Sequence, residues 1–267
     1  MADPKSPVAT LSDIANHIAD HHPNILASLV DRRRRQVSNS VADFHKNTVA
    51  YGPLRGLKLR TDSHWGAADR GVMALGLYER EVLEVLEALP RSRDVFIDLG
   101  AADGYYGVGV LVNQLFAKTY CYEITPKGRD TIQANADLNG VADRVLIRGE
   151  ATLQFFEEIP ADERARALLL VDIEGGEFDV INEATFAAFA QAVVLIEIHD
   201  WIAGAEAKIA KLRADAEATH SVTTLVTSTR DLSGFRELRM LNDNDRWLLC
   251  SEGRPRLMSW LRFDPID

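Results

Sequence analysis

Apolar residues recur at helical spacing in the first third of the chain. Leu11, Ile14 and Ile18 lie three or four residues apart and predict a first helix, which the run His21-His22-Pro23 interrupts. Similar spacing predicts further helices over about 24–45 and 71–89, with a short strand at 57–60 between them.

From residue 94 onward, short β-rich runs alternate with helical stretches. This alternation is typical of parallel strands joined by right-handed helical crossovers. The last two apolar runs have no clear helix between them, so they are predicted to finish the sheet as an antiparallel pair. The predicted strands are 95–99, 118–122, 144–147, 167–173, 192–198, 221–226 and 246–251, and the predicted helices are 104–116, 126–138, 152–158, 176–190 and 201–218.

We therefore predict an α/β, Rossmann-like fold with a mostly parallel seven-stranded sheet and extra N-terminal helices. Residues 1–69 are interpreted as a helical extension that covers the core and opens with a loose leader, and residues 70–267 as the main domain. The 267 residues, 46% of them hydrophobic, suffice for one large core without disulfides or a structural metal.

Charge and targeting signals narrow the function classes. The net charge of −10 argues against an extended nucleic-acid footprint, and the basic run Arg32–Arg35 is interpreted as a solvated helix face. Cys121 and Cys250 match no metal spacing and are expected to be buried free thiols. We find no signal-peptide pattern and no apolar run long enough for a membrane span, so a soluble, cytoplasmic protein is expected.

Polar or acidic groups follow each of the first five predicted strands. Ligands of open α/β sheets bind beyond these carboxyl ends, so the groups are expected to share one site. In strand order, they are Asp98 to Gly107, then Glu123, then Gly149-Glu150-Ala151, then Asp172 to Glu177, and finally Glu197 to Asp200.

The loop after the first strand favours a nucleoside ligand without phosphates. Gly100 and Gly104 permit a tight turn and a close approach of backbone to ligand. Ala102 stands where the dinucleotide fingerprint needs glycine, and the neighbouring Asp103 would repel a pyrophosphate. Glu123 lies 19 residues past Gly104, where a carboxylate can accept from both ribose hydroxyls. S-adenosylmethionine, with its cationic sulfonium, fits this pattern.

These motifs resemble those of class I S-adenosylmethionine-dependent methyltransferases, and among them the FkbM-type family. The resemblance rests on VFIDLGAADGYYG at 95–107, YEI at 122–124, LLLVDIEGGEFDVI at 168–181, and an upstream G-x-Y-E element at 76–79. It covers about residues 70–200, and Ala102-Asp103 departs from the family's usual pair.

The resemblance implies an O-methyltransferase that acts on a sugar, natural product or other small molecule. It implies that Asp98, Gly100 and Gly104 shape the methionine end of the cofactor site, and Ala101 and Asp103 are further candidate cofactor-binding residues. Glu123 would hold the ribose, and Glu150 and Ala151 would lie beside the adenine, with Asp172 where the methyl group emerges.

Two residues are candidates for the base that an alcohol acceptor needs. Asp172 follows the fourth strand, although it could instead cap the next helix. His199 follows the fifth strand, where Glu197 could orient it, although it could simply pack beneath a turn. Asp172, Glu174, Glu197 and His199 could alternatively hold a divalent metal such as Mg²⁺, whereas Glu174 and Glu177 could equally cap a helix.

The sequence does not decide which residues contact the acceptor, and it leaves two rival functions open. Arg230, Phe235 and Arg236 in the segment 228–245, or the run Asp62-Ser-His64-Trp65, could contact a small-molecule or glycan acceptor, and a homodimer is a further prediction. The rival interpretations are a nicotinamide-dependent oxidoreductase on a Rossmann fold and a non-catalytic interaction protein.

Overall fold

The fold is that of a computed structural model, which describes residues 10–62, 65–254 and 256–266. Residues 1–9 of the predicted leader (1–10), Ser63 and His64 lie outside the described residues. The described helices are α1 (Leu11–His21), α2 (Pro23–Phe44), α3 (Arg70–Ala74), α4 (Arg80–Ala88), α5 (Tyr105–Val112), α6 (Pro126–Asn139), α7 (Ala161–Ala165), α8 (Glu177–Val180), α9 (Glu183–Ala188), α10 (Ala205–Ala216) and α11 (Asp243–Leu249).

A seven-stranded sheet, counted over these described residues, forms the centre of the molecule. The strands are β1 (Val95–Leu99), β2 (Lys118–Tyr122), β3 (Val145–Arg148), β4 (Ala167–Val171), β5 (Val193–Ile198), β6 (His220–Val226) and β7 (Ser259–Pro265). Their order in the sheet is β3-β2-β1-β4-β5-β7-β6; β7 is antiparallel to both of its neighbours, and the other pairs are parallel. This confirms the predicted fold class.

The central strands are buried on both faces because helices cover each side. Alternate residues of a strand point to opposite faces. Phe96 and Leu170 therefore belong to one hydrophobic cluster with α5 and α6, whereas Ile97 and Leu169 belong to another with α9 and α10. A third cluster joins α2 to α3 and α11.

The chain order changes direction between β1 and β4. From β1 the chain proceeds outward to β2 and β3, then returns to place β4 on the other side of β1. Such a switch point leaves a crevice beyond the carboxyl ends of the two strands.

The prediction of a last strand at 246–251 is wrong, because α11 covers most of that segment. The Asn242 side chain accepts a hydrogen bond from the Asp245 amide and caps the helix at its N-terminus. The partner of β6 is instead β7, whose Trp260, Leu261 and Phe263 are buried.

Two predicted helices are interrupted in the structure, and a third is reduced to a 3₁₀ turn. The segment 71–89 forms α3 and α4, since Gly76 and Glu79 have φ angles of +63° and +45° that a helix does not contain. The segment 176–190 forms α8 and α9, and 152–158 contains only a 3₁₀ turn at Phe155–Glu158. The predicted strand at 57–60 is a single bridge between Thr48 and Lys58.

Within the described residues, no helix combines the length and the hydropathy needed to cross a lipid bilayer.

Candidate active site

A cavity of about 360 Å³ lies at the carboxyl ends of β1, β2 and β4. Its position matches the crevice at the switch point, and its size is within the range of small-molecule sites. The predicted residues on its wall are Gly100, Ala101, Asp103, Glu123, Glu150, Ala151, Asp172 and Glu174.

The loop after β1 forms one wall by bringing backbone against backbone. Gly100 has a φ of +90°, and a Cβ there would overlap the carbonyl oxygen of Asp172. The amides of Gly100 and Ala101 both donate to the carbonyl of Tyr122, at 2.9 and 3.0 Å. The ends of β1, β2 and β4 are thereby held together beneath the cavity.

Glu123 is the best-anchored carboxylate of this wall. One oxygen accepts from the Ala102 amide at 3.1 Å, and the other accepts from the amide and the hydroxyl of Thr125, both at 2.7 Å. The side chain is buried yet lines the cavity. The two bonds from Thr125 fill the acceptor sites of Oε1, whereas Oε2 keeps one free site, so a ligand hydroxyl can still donate to it.

Asp98 and Gly104 lie behind the loop, outside the cavity wall. Asp98 is buried and accepts a hydrogen bond from the Gly107 amide, while Gly104 has a φ of +80° at the start of α5. Burial, reinforced by the charge of Glu123, raises the pKa of Asp98 to about 7.

The other end of the cavity combines aromatic and polar side chains. Tyr105 and Asp172 each have a buried oxygen without a hydrogen-bond partner among the described residues. Buried polar atoms are normally paired, so these oxygens suit a polar ligand. We call this end the acceptor end; its lining residues, joined by mutual contacts, are Tyr78, Glu79, Tyr105, Tyr106, Asp172 and Glu174.

His199 lies beneath Asp172 and is not part of the cavity wall. Its side chain is 2% exposed, and its Nδ1 is 3.0 Å from Oε1 of Glu177. Its Nε2 is 3.6 Å from carboxylate oxygens of Asp172, Glu174 and Glu197. We call the set Glu79, Asp172, Glu174, Glu197 and His199 the carboxylate–imidazole cluster.

Burial and neighbouring charge shift the pKa values within this cluster. Burial, together with the charges of Glu197 and Glu79, raises the pKa of Asp172. Burial lowers the pKa of His199, but the hydrogen bond with Glu177 and the charges of Glu177, Glu197 and Glu174 outweigh it and raise that pKa overall.

A buried ion-pair network supports the cluster from behind. Arg254 contacts Glu79 at 2.6 Å, Glu252 at 3.0 Å, and Glu197. Arg230 contacts Glu252 and Glu81, each at 2.8 Å. Arg230 is therefore a buried structural residue, and neither it nor Phe235 and Arg236 lines the cavity, whereas Trp65 does.

Glu79 and Arg254 are site residues that the sequence analysis did not single out. Glu79 belongs to the G-x-Y-E element at 76–79, which was a usable signal. Arg254 lies 175 residues away from it, and no motif connects the two.

No protein-family model matches the chain, and no curated protein matches it significantly. Solved structures resemble it at low identity. An uncharacterized protein from Listeria monocytogenes is 12% identical, with a TM-score of 0.47 over 71% of this chain and 68% of that one. The tRNA methyltransferase TrmK of B. subtilis is 14% identical, with a TM-score of 0.46 over 69% of this chain and 64% of that one.

A precorrin-6y C5,15-methyltransferase from Geobacter metallireducens is 14% identical, with a TM-score of 0.45 over 70% of this chain and 87% of that one. The similar solved structures thus include methyltransferases with different acceptors. The FkbM-type resemblance stays a prediction.

Proposed function

We propose that the protein is an S-adenosylmethionine-dependent methyltransferase that acts on a hydroxyl oxygen of a small molecule or glycan. The observation that carries the proposal is the placement of Glu123 in the same cavity as the close backbone contact between Gly100 and Asp172. The first supplies a carboxylate that can accept from a ligand hydroxyl, and the second holds the ends of β1 and β4 together beneath the cavity.

The cavity fits an adenosyl group with a cationic centre better than a dinucleotide. Asp103, Glu123, Glu150 and Asp172 all line it, so its wall is acidic. A sulfonium is attracted by such a wall, whereas a pyrophosphate is repelled. When bound, S-adenosylmethionine supplies an electrophilic methyl group.

The residues at the acceptor end would orient the hydroxyl and take its proton. Asp172 borders both the backbone contact with Gly100 and the acceptor end, so its carboxylate is the base we propose. Glu79 is another carboxylate at this end, and Tyr106 donates a hydrogen bond to it at 2.9 Å. The rings of Tyr78, Tyr105 and Tyr106 would keep water from the activated methyl group when the cofactor and acceptor are bound.

A small acceptor is supported by the pairing of the basic run. Arg33 contacts Asp245 at 2.6 Å, Arg34 contacts Asp69 at 2.8 Å, and Arg35 contacts Asp31 at 2.7 Å. These guanidinium groups are already neutralised within the chain, which leaves them poorly suited to a phosphate backbone.

A nicotinamide-dependent oxidoreductase is the second candidate because it would use the same crevice of a Rossmann-like sheet. Titration calorimetry with S-adenosylhomocysteine and, separately, with NADH and NADPH distinguishes the two. We expect saturable binding of S-adenosylhomocysteine at one site per chain and no heat from the nicotinamides. The reverse result would replace our proposal with the second candidate, and a protein that binds neither would support a non-catalytic role.

A further inference from the structure

We propose that Asp172, Glu174 and His199 bind one divalent metal ion of the class of Mn²⁺, Co²⁺ or Zn²⁺ at the acceptor end of the cavity. Only the use of the ion in methyl transfer rests on the proposed function; its binding does not.

The spacing of the three side chains suits a shared cation. Nε2 of His199 is 3.6 Å from Oδ1 of Asp172 and 3.6 Å from Oε2 of Glu174, which is too long for a hydrogen bond. Ligands about 2.1–2.5 Å from an octahedral ion lie about 3.0–3.5 Å from their neighbours. All three ligand atoms lie within 4.8 Å of one another.

The imidazole is oriented as it is in known metal sites. Nδ1 of His199 is bonded to Oε1 of Glu177, which leaves Nε2 directed at Asp172 and Glu174. The same Glu177 oxygen accepts from the His199 amide at 3.1 Å, and the other oxygen accepts from the Gly175 amide at 2.8 Å. Metal-bound histidines commonly donate their second ring nitrogen to a carboxylate in this way.

The carboxylates of Asp172 and Glu174 are only partly compensated by charge from the chain itself. In the part of the chain that the structure describes, each of them has an ion-pair contact only with His199. Oδ1 of Asp172 is buried and accepts no hydrogen bond from those residues. Arg254 neutralises Glu79 and Glu197 on the far side of the cluster, so it does not compensate these two carboxylates.

The ligand set selects the class of metal. Imidazole nitrogen suits first-row transition ions, whereas Mg²⁺ prefers oxygen ligands and keeps its waters. The sequence-based expectation of Mg²⁺ is therefore replaced by an ion that accepts nitrogen. Asp172 and Glu174 both line the cavity, so the remaining coordination positions face the acceptor end, where a metal-bound hydroxyl would lose its proton more readily.

Electron paramagnetic resonance of free Mn²⁺ tests the site on the full chain after removal of metals with EDTA. We expect one bound Mn²⁺ per chain. Replacements His199→Gln and Glu174→Gln should weaken binding at least about tenfold, and Glu177→Gln, which changes a positioning residue, about 10–100-fold. Glu174 is exposed, so its variant keeps the test valid if His199→Gln fails to fold.

The matched control is His220→Gln. His220 is also buried, but its Nε2 pairs with the Ala192 carbonyl away from the cavity, so Mn²⁺ binding should not change. Absence of bound Mn²⁺, or binding that Glu174→Gln leaves unaltered, would overturn the proposal. Calorimetry with S-adenosylhomocysteine on the same samples distinguishes the two proposals. Cofactor binding without metal binding would reject only the metal site. Metal binding without cofactor binding would reject only the methyltransferase.

Discussion

Gly100 at the end of β1 lies directly against the carbonyl of Asp172 at the end of β4. The Asp172 amide in turn donates to the Leu99 carbonyl at 2.9 Å, so a hydrogen bond as well as this contact joins the two strand ends. This contact builds the floor of the cavity and sets the direction of Asp172.

Replacement of Gly100 by alanine should therefore be strongly destabilising. The new Cβ would overlap the Asp172 carbonyl, and the φ of +90° is unfavourable for any L-residue. We expect Gly100→Ala to lower the free energy of unfolding in urea by at least about 3 kcal/mol. The control is Gly149→Ala, because a Cβ added to this glycine after β3 would meet no other atom within 4 Å. This change should alter the free energy of unfolding by less than about 1 kcal/mol.

Glu123→Gln should weaken the binding of S-adenosylhomocysteine. The amide nitrogen cannot accept from the Ala102 amide, the Thr125 amide or a ribose hydroxyl, so at least one of these hydrogen bonds is lost. We expect a loss of about tenfold or more by calorimetry, equivalent to about 1.4 kcal/mol. Glu87→Gln, on the exposed face of α4, is the control, and equal affinity of the two variants would contradict this role for Glu123.

The stability of the ligand-free protein should fall as the pH rises from about 4 to 7. The folded-state pKa of Asp98 is about 7, against an ordinary value near 4, so the folded chain holds the proton more tightly than the unfolded chain over this range. Below pH 4 the Asp98 carboxyl is protonated in both states, so its ionisation costs the folded protein no stability. Above pH 7 the full free-energy cost of ionising it in the folded protein applies.

Asp98→Asn should remove this contribution to the pH dependence. We expect the free energy of unfolding of the variant, relative to that of wild type, to be about 2–3 kcal/mol higher at pH 8 than at pH 5 when measured by urea unfolding. Asp143→Asn, at an exposed position, serves as the control. Parallel pH profiles for wild type and Asp98→Asn would show that Asp98 is ionised at little cost in the fold.

Arg254→Ala should destabilise the fold much more than Arg256→Ala. The first change leaves Glu79 and Glu197 buried without their guanidinium partner and leaves Glu252 with Arg230 alone, which typically costs about 3–5 kcal/mol. The second breaks a pair with Asp200 in which both side chains are about half exposed, worth at most about 1 kcal/mol. Similar unfolding midpoints for the two variants would mean that the network is solvated.

Hydrophobic periodicity predicted most of the sheet because its signal is local. The runs at β1 and β2 are bounded as predicted, and those at β3 to β6 differ by a few residues at most. The prediction of a last strand at 246–251 rests on the apolar run from Trp247 to Cys250. The structure forms α11 there because Asn242 and the acidic residues after it are helix-start signals.

The candidate site was predictable where it depends on strand ends and not where it depends on distant pairing. Parallel strands end at one edge of the sheet, so the positions of Gly100, Glu123 and Asp172 follow from the strand assignment. The burial of Arg230 between Glu81 and Glu252 depends on how the 228–254 segment packs on α4. Sequence spacing has no information about such pairs.

Crystals grown with S-adenosylhomocysteine would locate the cofactor in electron density. We expect adenosyl density in the cavity, with the ribose within hydrogen-bond distance of Glu123 and the sulfur directed toward Asp172 and the acceptor end. Density for the ligand elsewhere, or a ribose out of reach of Glu123, would overturn the proposed cofactor site.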